Sequence, residues 1–302
     1  MIVIARQADR SPAVAAAIAS ALQILALVSL PVVGVLAVIP ATLSGSVVAY
    51  VILRRGIAAS GRVLVFAFVG LAIVSIVISG SALSVPLMAV FSWVPVVIAA
   101  AALVQTSSLV ISVLATTATA IVGVLIFALF VGDVAAWWQP MLDNMLAELL
   151  SQRDVDADAA EISAASAQGA AWMTGAAGVS FAASAIVQLF IARHWQAVNV
   201  NPGGFRTEFH ALSFGKTAAL GALAMIAAAA VLGAPSLRAI AMIAGAAFSL
   251  QGLAVLHALI ASRGLAAGWL IGIYALLIIP QTWLLLAALG LLDNYVPLRR
   301  TV

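Results

Sequence analysis

The chain contains no cysteine and very few charged residues. The absence of cysteine excludes disulfides and thiolate metal sites. Lysine and arginine number 13 and aspartate and glutamate 10, so charged residues make up 8% of the 302, against about 25% in a soluble domain. This scarcity excludes a water-soluble globular protein and a disordered chain. It also argues against nucleic-acid binding, because a net charge of +3 spread along the chain forms no basic patch.

Long apolar stretches fill the space between the few charges. Hydrophobic residues make up 65% of the chain, and its mean hydropathy is +1.23. A helix needs about 20 apolar residues to cross a bilayer, so the uncharged stretches predict an all-α, polytopic membrane protein with eight to nine transmembrane helices. The predicted spans are 12–30, 34–53, 61–80, 86–104, 107–131, 167–192, 217–234, 239–260 and 265–290.

The positions of the cations predict that the N-terminus is cytoplasmic, because cytoplasmic loops carry the excess of lysine and arginine. The C-terminus leaves two alternatives. A single helix over 265–290, bent at Pro280, places Arg299 and Arg300 outside, giving nine cytoplasmic cations against four. Two short legs would return the tail and give eleven against two. Each leg would be about 21 Å long, less than the hydrocarbon core of about 30 Å, so the sequence favours one bent helix.

Seven of the ten acidic residues lie in a predicted outer loop, 132–166. Apolar residues three or four apart in its first half, from Val134 to Leu149, predict an amphipathic helix on the membrane surface. The series Asp154, Asp156 and Asp158 lacks the glycine and the glutamate of a calcium-binding loop. A solvated acidic loop is therefore expected, with no metal site and no cofactor.

A second loop, 193–216, is predicted on the cytoplasmic side. Its Asn-Pro-Gly-Gly turn is followed by an apolar stripe of Phe205, Phe209 and Leu212, which predicts a short interfacial helix. A docking surface for a partner protein is the alternative interpretation. The residues assigned to this partner or interface loop are Arg193, His194, Trp195, Asn201, Pro202, Gly203, Gly204, Phe205, Arg206, Glu208, Phe209 and His210, together with His257, the only histidine in a predicted span.

The segments Ala192–Ala197, Asn201–Arg206 and Glu208–Leu212 resemble the signature of the YybS-like bacterial membrane proteins, a family of unknown function. Gly252–His257 and Leu291–Asp293 resemble its C-terminal pattern. That family is remotely similar to the substrate-binding S components of energy-coupling-factor transporters and to MreD-like envelope proteins. The resemblance implies location in the bacterial inner membrane. It also implies an S-component-like six-helix part over 1–192, the loop 193–216, and two to three further helices over 217–302.

The predicted span cores contain no aspartate, glutamate, lysine or arginine, which disfavours ion-coupled transport and catalysis inside the membrane. The deep polar candidates are Gln23, Gln105, Gln251 and Gln281. We expect a non-enzymatic protein that binds a small uncharged or amphipathic ligand, with Gln105, Trp93 and Gln251 as ligand-binding residues. Besides the lipid bilayer, its expected partner is an ATPase module. The alternative is a non-catalytic scaffold that recruits envelope assembly proteins.

Overall fold

The computed structural model describes residues 2–153, 158–266, 268–296 and 298–299, and these residues form helices and no strand. This confirms the predicted all-α class. A single 3₁₀ turn, Gly34–Ala37, joins the second and third helices. The α-helices of the described ranges are α1 Ile2–Ala8, α2 Pro12–Val33, α3 Val38–Ser79, α4 Ser84–Thr106, α5 Leu109–Val131, α6 Val134–Ser151, α7 Ala159–Val200, α8 Gly204–His210, α9 Gly215–Leu232, α10 Pro235–Ser262, α11 Gly268–Leu276 and α12 Pro280–Leu292.

Seven helical segments of the described chain are long and apolar enough to cross a membrane. Local chemistry fixes several of their ends. Ser11 caps α2, its Oγ accepting the N–H of Val14 at 3.1 Å, and Asp133 caps α6 in the same way. The candidate spans are Pro12–Leu30, Gly34–Ile78, Ser84–Thr106, Leu109–Val131, Ala159–Val200, Gly215–Leu232 and Pro235–Ser262.

Helix α3 is two crossings joined at a glycine. Its 42 residues would reach about 63 Å if straight, twice the thickness of a bilayer core. Gly56 breaks it with φ 78° and ψ 170°, a conformation that suits only glycine. Ser44, before the break, donates to Ala19 O, and Ala67, after it, accepts from Ser20. A straight helix would hold Ser44 and Ala67 roughly 34 Å apart, so α3 folds back on itself. Counted this way, the described chain agrees with the predicted pair of spans.

The helices pack into two compact units that do not follow the order of the chain. Unit 1 comprises residues 1–116 and 181–212, and unit 2 comprises 117–180 and 213–302. Helices α5 and α7 therefore contribute to both. This division differs from the predicted one at 192 and 216, which followed sequence order.

All nine charged residues of unit 1 lie towards one end of it. Tyr50 Oη donates to Asp9 Oδ2 at 2.9 Å, and Arg54 forms an ion pair with the same carboxylate at 3.3 Å. The opposite turns, 31–37 and 80–84, contain no charged residue. The nine residues are Arg6, Asp9, Arg10, Arg54, Arg55, Arg62, Arg193, Arg206 and Glu208.

In unit 2 the predicted surface helix is present as α6, which packs on α7. Trp138 Nε1 donates to Thr174 Oγ1 at 2.9 Å, and the hydroxyl of Ser166 contacts the carboxylate of Asp143. Arg238, at the start of α10, lies 4.8 Å from the centre of the Trp172 ring. The acidic segment and the turn between α9 and α10 therefore lie at the same end of unit 2. Asp154 and Asp156 lie outside the described residues.

The segment 265–290, predicted as a single helix bent at Pro280, consists of two helices. Helices α11 and α12 are separate and bent by 115°, because Ile279 is extended and Pro280 starts a new helix. Beyond α12, Asn294 Oδ1 accepts the N–H of Gly215 at 2.8 Å. The end of α12 thus lies beside the start of α9, whereas a single crossing would have separated them. This contact favours the two-legged alternative.

Candidate functional site

A buried polar cluster lies midway along the helices of unit 1, centred on Ser44. The Ser44 hydroxyl donates to Ala19 O of α2 at 2.8 Å and accepts the indole N–H of Trp93, from α4, at 3.1 Å. Ser44 is fully buried and Trp93 is 2% exposed. Three helices are therefore joined by hydrogen bonds at this level, in a part of the chain without ionised groups.

Gln188 of α7 closes the cluster on the other side. It lies against Gly45, where a Cβ would overlap the Gln188 amide oxygen. The Gln188 Nε2 donates to Ser184 Oγ at 2.9 Å. The side chain is 1% exposed, yet its Oε1 accepts no hydrogen bond from any residue that the structure describes.

Gln23 supplies a second amide oxygen of the same kind. It lies one turn after Ala19 on α2 and therefore shares the helix face that meets Ser44. Gln23 is 4% exposed, and within the described ranges its Oε1 also has no hydrogen-bond partner. Leaving such a group unpaired costs about 1–3 kcal/mol. Folded proteins leave few buried polar atoms in this state, so two within unit 1 need an explanation.

The three predicted ligand-binding residues have different surroundings. Trp93 belongs to the cluster, but its only N–H is already donated to Ser44. Gln105 is exposed near the end of α4, about 18 Å along that helix from Trp93. Gln251 belongs to unit 2, where its amide oxygen accepts the N–H of Phe214 at 3.1 Å and its Nε2 donates to Asp293 at 2.8 Å. Gln188 was not among the predicted site residues. Its only sequence signal is a single amide side chain within an apolar segment.

The predicted loop residues lie at the charged end of unit 1. Several of them contact other residues of the same unit. Helix α7 continues to Val200, so the first part of the predicted loop is helical. Arg193 forms a two-pronged ion pair with Glu208, which links α7 to α8. The Gln196 Nε2 donates to Leu53 O at 2.9 Å.

The aromatic residues of this segment form a core. Phe205 and Phe209 of α8 pack edge-on against Phe190 of α7, with ring centres 5.3 and 5.5 Å apart. Phe209 and Leu212 are buried. The apolar stripe therefore faces the protein, which corrects the predicted interfacial anchoring. Trp195 is 1% exposed and packs on Tyr50.

The remaining members of the predicted interface set are more accessible. His194, Asn201, Pro202, Gly203 and Arg206 are exposed, and Gly204 and His210 are half-buried. His257 is half-buried in unit 2, where its Nε2 lies 3.1 Å from the hydroxyl of Tyr274. Among the described residues, no group of three or more histidine, aspartate or glutamate side chains is placed to hold a metal ion.

No family model, no curated protein and no solved structure matches the chain. The resemblance to the YybS-like proteins stays a prediction.

Proposed function

We propose that this multi-pass membrane protein binds a small uncharged or amphipathic ligand inside unit 1. The observation that carries the proposal is the pair of buried amide oxygens, on Gln23 and Gln188, that no described residue satisfies. A ligand that donates hydrogen bonds would remove their desolvation cost only when bound.

The chemistry of unit 1 supports a neutral ligand and a transport-related, non-catalytic role. Residues 11–53, 63–116 and 181–192 contain no charged side chain. An ion in such surroundings would lack a countercharge. Proton-coupled carriers and hydrolases rely on buried ionisable groups, and the segments named here supply none.

Energy for transport would then come from a partner. The resemblance to S components suggests an ATPase module, which would meet small residues on an early helix. Ala13, Ala17 and Ala21 of α2 occupy one face and are exposed, as such a contact requires. The predicted bacterial inner membrane and cytoplasmic N-terminus belong to the same proposal.

Native mass spectrometry of the protein purified in mild detergent tests the proposal. We expect a population carrying a small non-lipid molecule, reduced in the variant Gly45→Leu, whose side chain would displace the Gln188 amide. Gly61→Leu is the control, because a Cβ there meets open space. Ligand-free wild-type protein that co-purifies with envelope assembly proteins would instead support the scaffold alternative.

A further inference from the structure

We propose that Gln23 and Gln188 form a hydrogen-bond-accepting subsite, and that the ligand is a neutral molecule presenting O–H or N–H donors to it. This inference rests on the proposed function and names the chemical class of the ligand. The inference is based on a difference within the cluster. The side-chain oxygens of these two amides have no described partner, whereas the hydroxyl of Ser44 and the indole N–H of Trp93 bond to protein groups.

The adjacent residues Ser44 and Gly45 of α3 meet the two helices that carry these amides. Ser44 bonds to Ala19, one turn before Gln23 on α2. Gly45, the next residue of α3, contacts the Gln188 amide of α7. Because Gly45 has no Cβ, the Gln188 amide can approach the α3 backbone. A Cβ at this position would overlap the amide oxygen.

The inventory of free groups indicates the polarity of the ligand. Ser44 donates to α2, Trp93 to Ser44, and the Gln188 Nε2 to Ser184. Among the described residues, the two buried side-chain atoms without a hydrogen-bond partner are both amide oxygens, which match O–H and N–H groups. In Gln188 the Nε2 is held by Ser184, so the Oε1 is the end that stays free within the described chain.

A purely structural role makes a different prediction for these residues. A structural glutamine stabilises the fold through its bonds, so methionine in its place should destabilise the protein. Gln23 has no bond at its oxygen to lose. We therefore expect Gln23→Met to unfold at the same temperature as the wild type or a higher one, while losing preference for donor-bearing molecules.

Two isomeric probes isolate the hydrogen bond. 1-Hexanol and butyl ethyl ether have the same composition, but only the alcohol carries a donor. Their half-saturating concentrations would be measured from the shift in thermal unfolding of the detergent-solubilised protein. In the wild type we expect the alcohol to saturate at about fivefold lower concentration, the value of one net hydrogen bond. The ratio should fall to near one in Gln23→Met and Gln188→Met.

Gln105→Met is the matched control, because Gln105 is exposed on α4, and it should keep the wild-type ratio. A wild-type ratio near one, or a fivefold ratio that survives in the folded variants, would overturn the subsite. Gln23→Met carries the test alone if Gln188→Met does not fold. If the wild type prefers hexanol but no small molecule co-purifies with it, the proposed function is refuted and the subsite is retained.

Discussion

Gly252 and Gly290 bring two helix backbones of unit 2 into direct contact. A Cβ at Gly252 would overlap the carbonyl oxygen of Leu286, and one at Gly290 would overlap that of Phe248. A backbone carbonyl cannot rotate away as the end of a long side chain can. Single missing Cβ atoms thus decide how closely α10 and α12 approach.

Gly252→Ala should therefore lower the free energy of unfolding by about 1–3 kcal/mol, the usual cost of overpacking. Thermal unfolding in detergent measures the effect. The control is Gly245→Ala, on the same helix, where a Cβ meets open space; that variant should be neutral or more stable by up to about 1 kcal/mol. Equal shifts in the two variants would contradict the close crossing.

At the scale of elements, α6 and α8 have similar sequence patterns and different environments. On α6 the apolar residues Trp137, Met141, Met145 and Leu149 are each about half exposed, at 45–55%. On α8 the corresponding residue Phe209 is buried. The stripe predicts a helix in both cases, but the surface that covers the stripe comes from tertiary packing, which the stripe does not encode.

Spin labels test whether the apolar face of α6 meets lipid. A label at Met145→Cys should collide with oxygen, which concentrates in lipid, more often than with a water-soluble nickel chelate. A label at Ala147→Cys, which is exposed and about 200° round the helix from Met145, should show the reverse. Equal accessibility at the two positions would mean that α6 stands clear of the membrane.

Proteolysis tests the packing of α8. Trypsin cleaves after Arg206 only when α8 opens locally. Phe209→Ala removes a buried ring from the contact with Phe190 and should accelerate this cleavage at least tenfold, since about 1.4 kcal/mol of lost local stability is enough. Phe130→Ala removes a ring that is 85% exposed and should leave the rate unchanged. An unaltered rate in Phe209→Ala would refute the packing.

The sequence predicted the helical class and most spans, because uncharged length alone determines them. It could not predict the return of the chain at Pro280, since that depends on the Asn294 contact with Gly215, distant in sequence. The same limit applies to the candidate site. Gln23, Gln188 and Gln251 are all single amides in apolar helices, and only three-dimensional packing shows that Gln251 is satisfied by Phe214 and Asp293.

At the scale of the whole molecule, charge is sorted to the ends of each unit. In unit 1 every charged residue lies towards one end. In unit 2, Lys216 and Arg299 lie near the contact between α9 and the end of α12, whereas Arg238 lies beside Trp172 at the other end. Such sorting leaves the middle of each unit uncharged, as a bilayer requires.

Single cysteines in this thiol-free chain test the topology of unit 2. A membrane-impermeant maleimide should label Val296→Cys from the same side of the membrane as Lys216→Cys, and Ser151→Cys from the opposite side. Val296 and Lys216 are both exposed, so labelling reports sidedness. Labelling of Val296→Cys together with Ser151→Cys would restore the single bent crossing and refute the return at Pro280.

A high-resolution cryo-EM map of the wild-type protein in lipid nanodiscs tests the central claim most directly. The claim is that the buried amides of Gln23 and Gln188 await a donor from outside the protein. The map should show non-protein density within hydrogen-bonding distance of both side-chain oxygens. Protein N–H or O–H groups seated on both oxygens, with no other density between them, would contradict it.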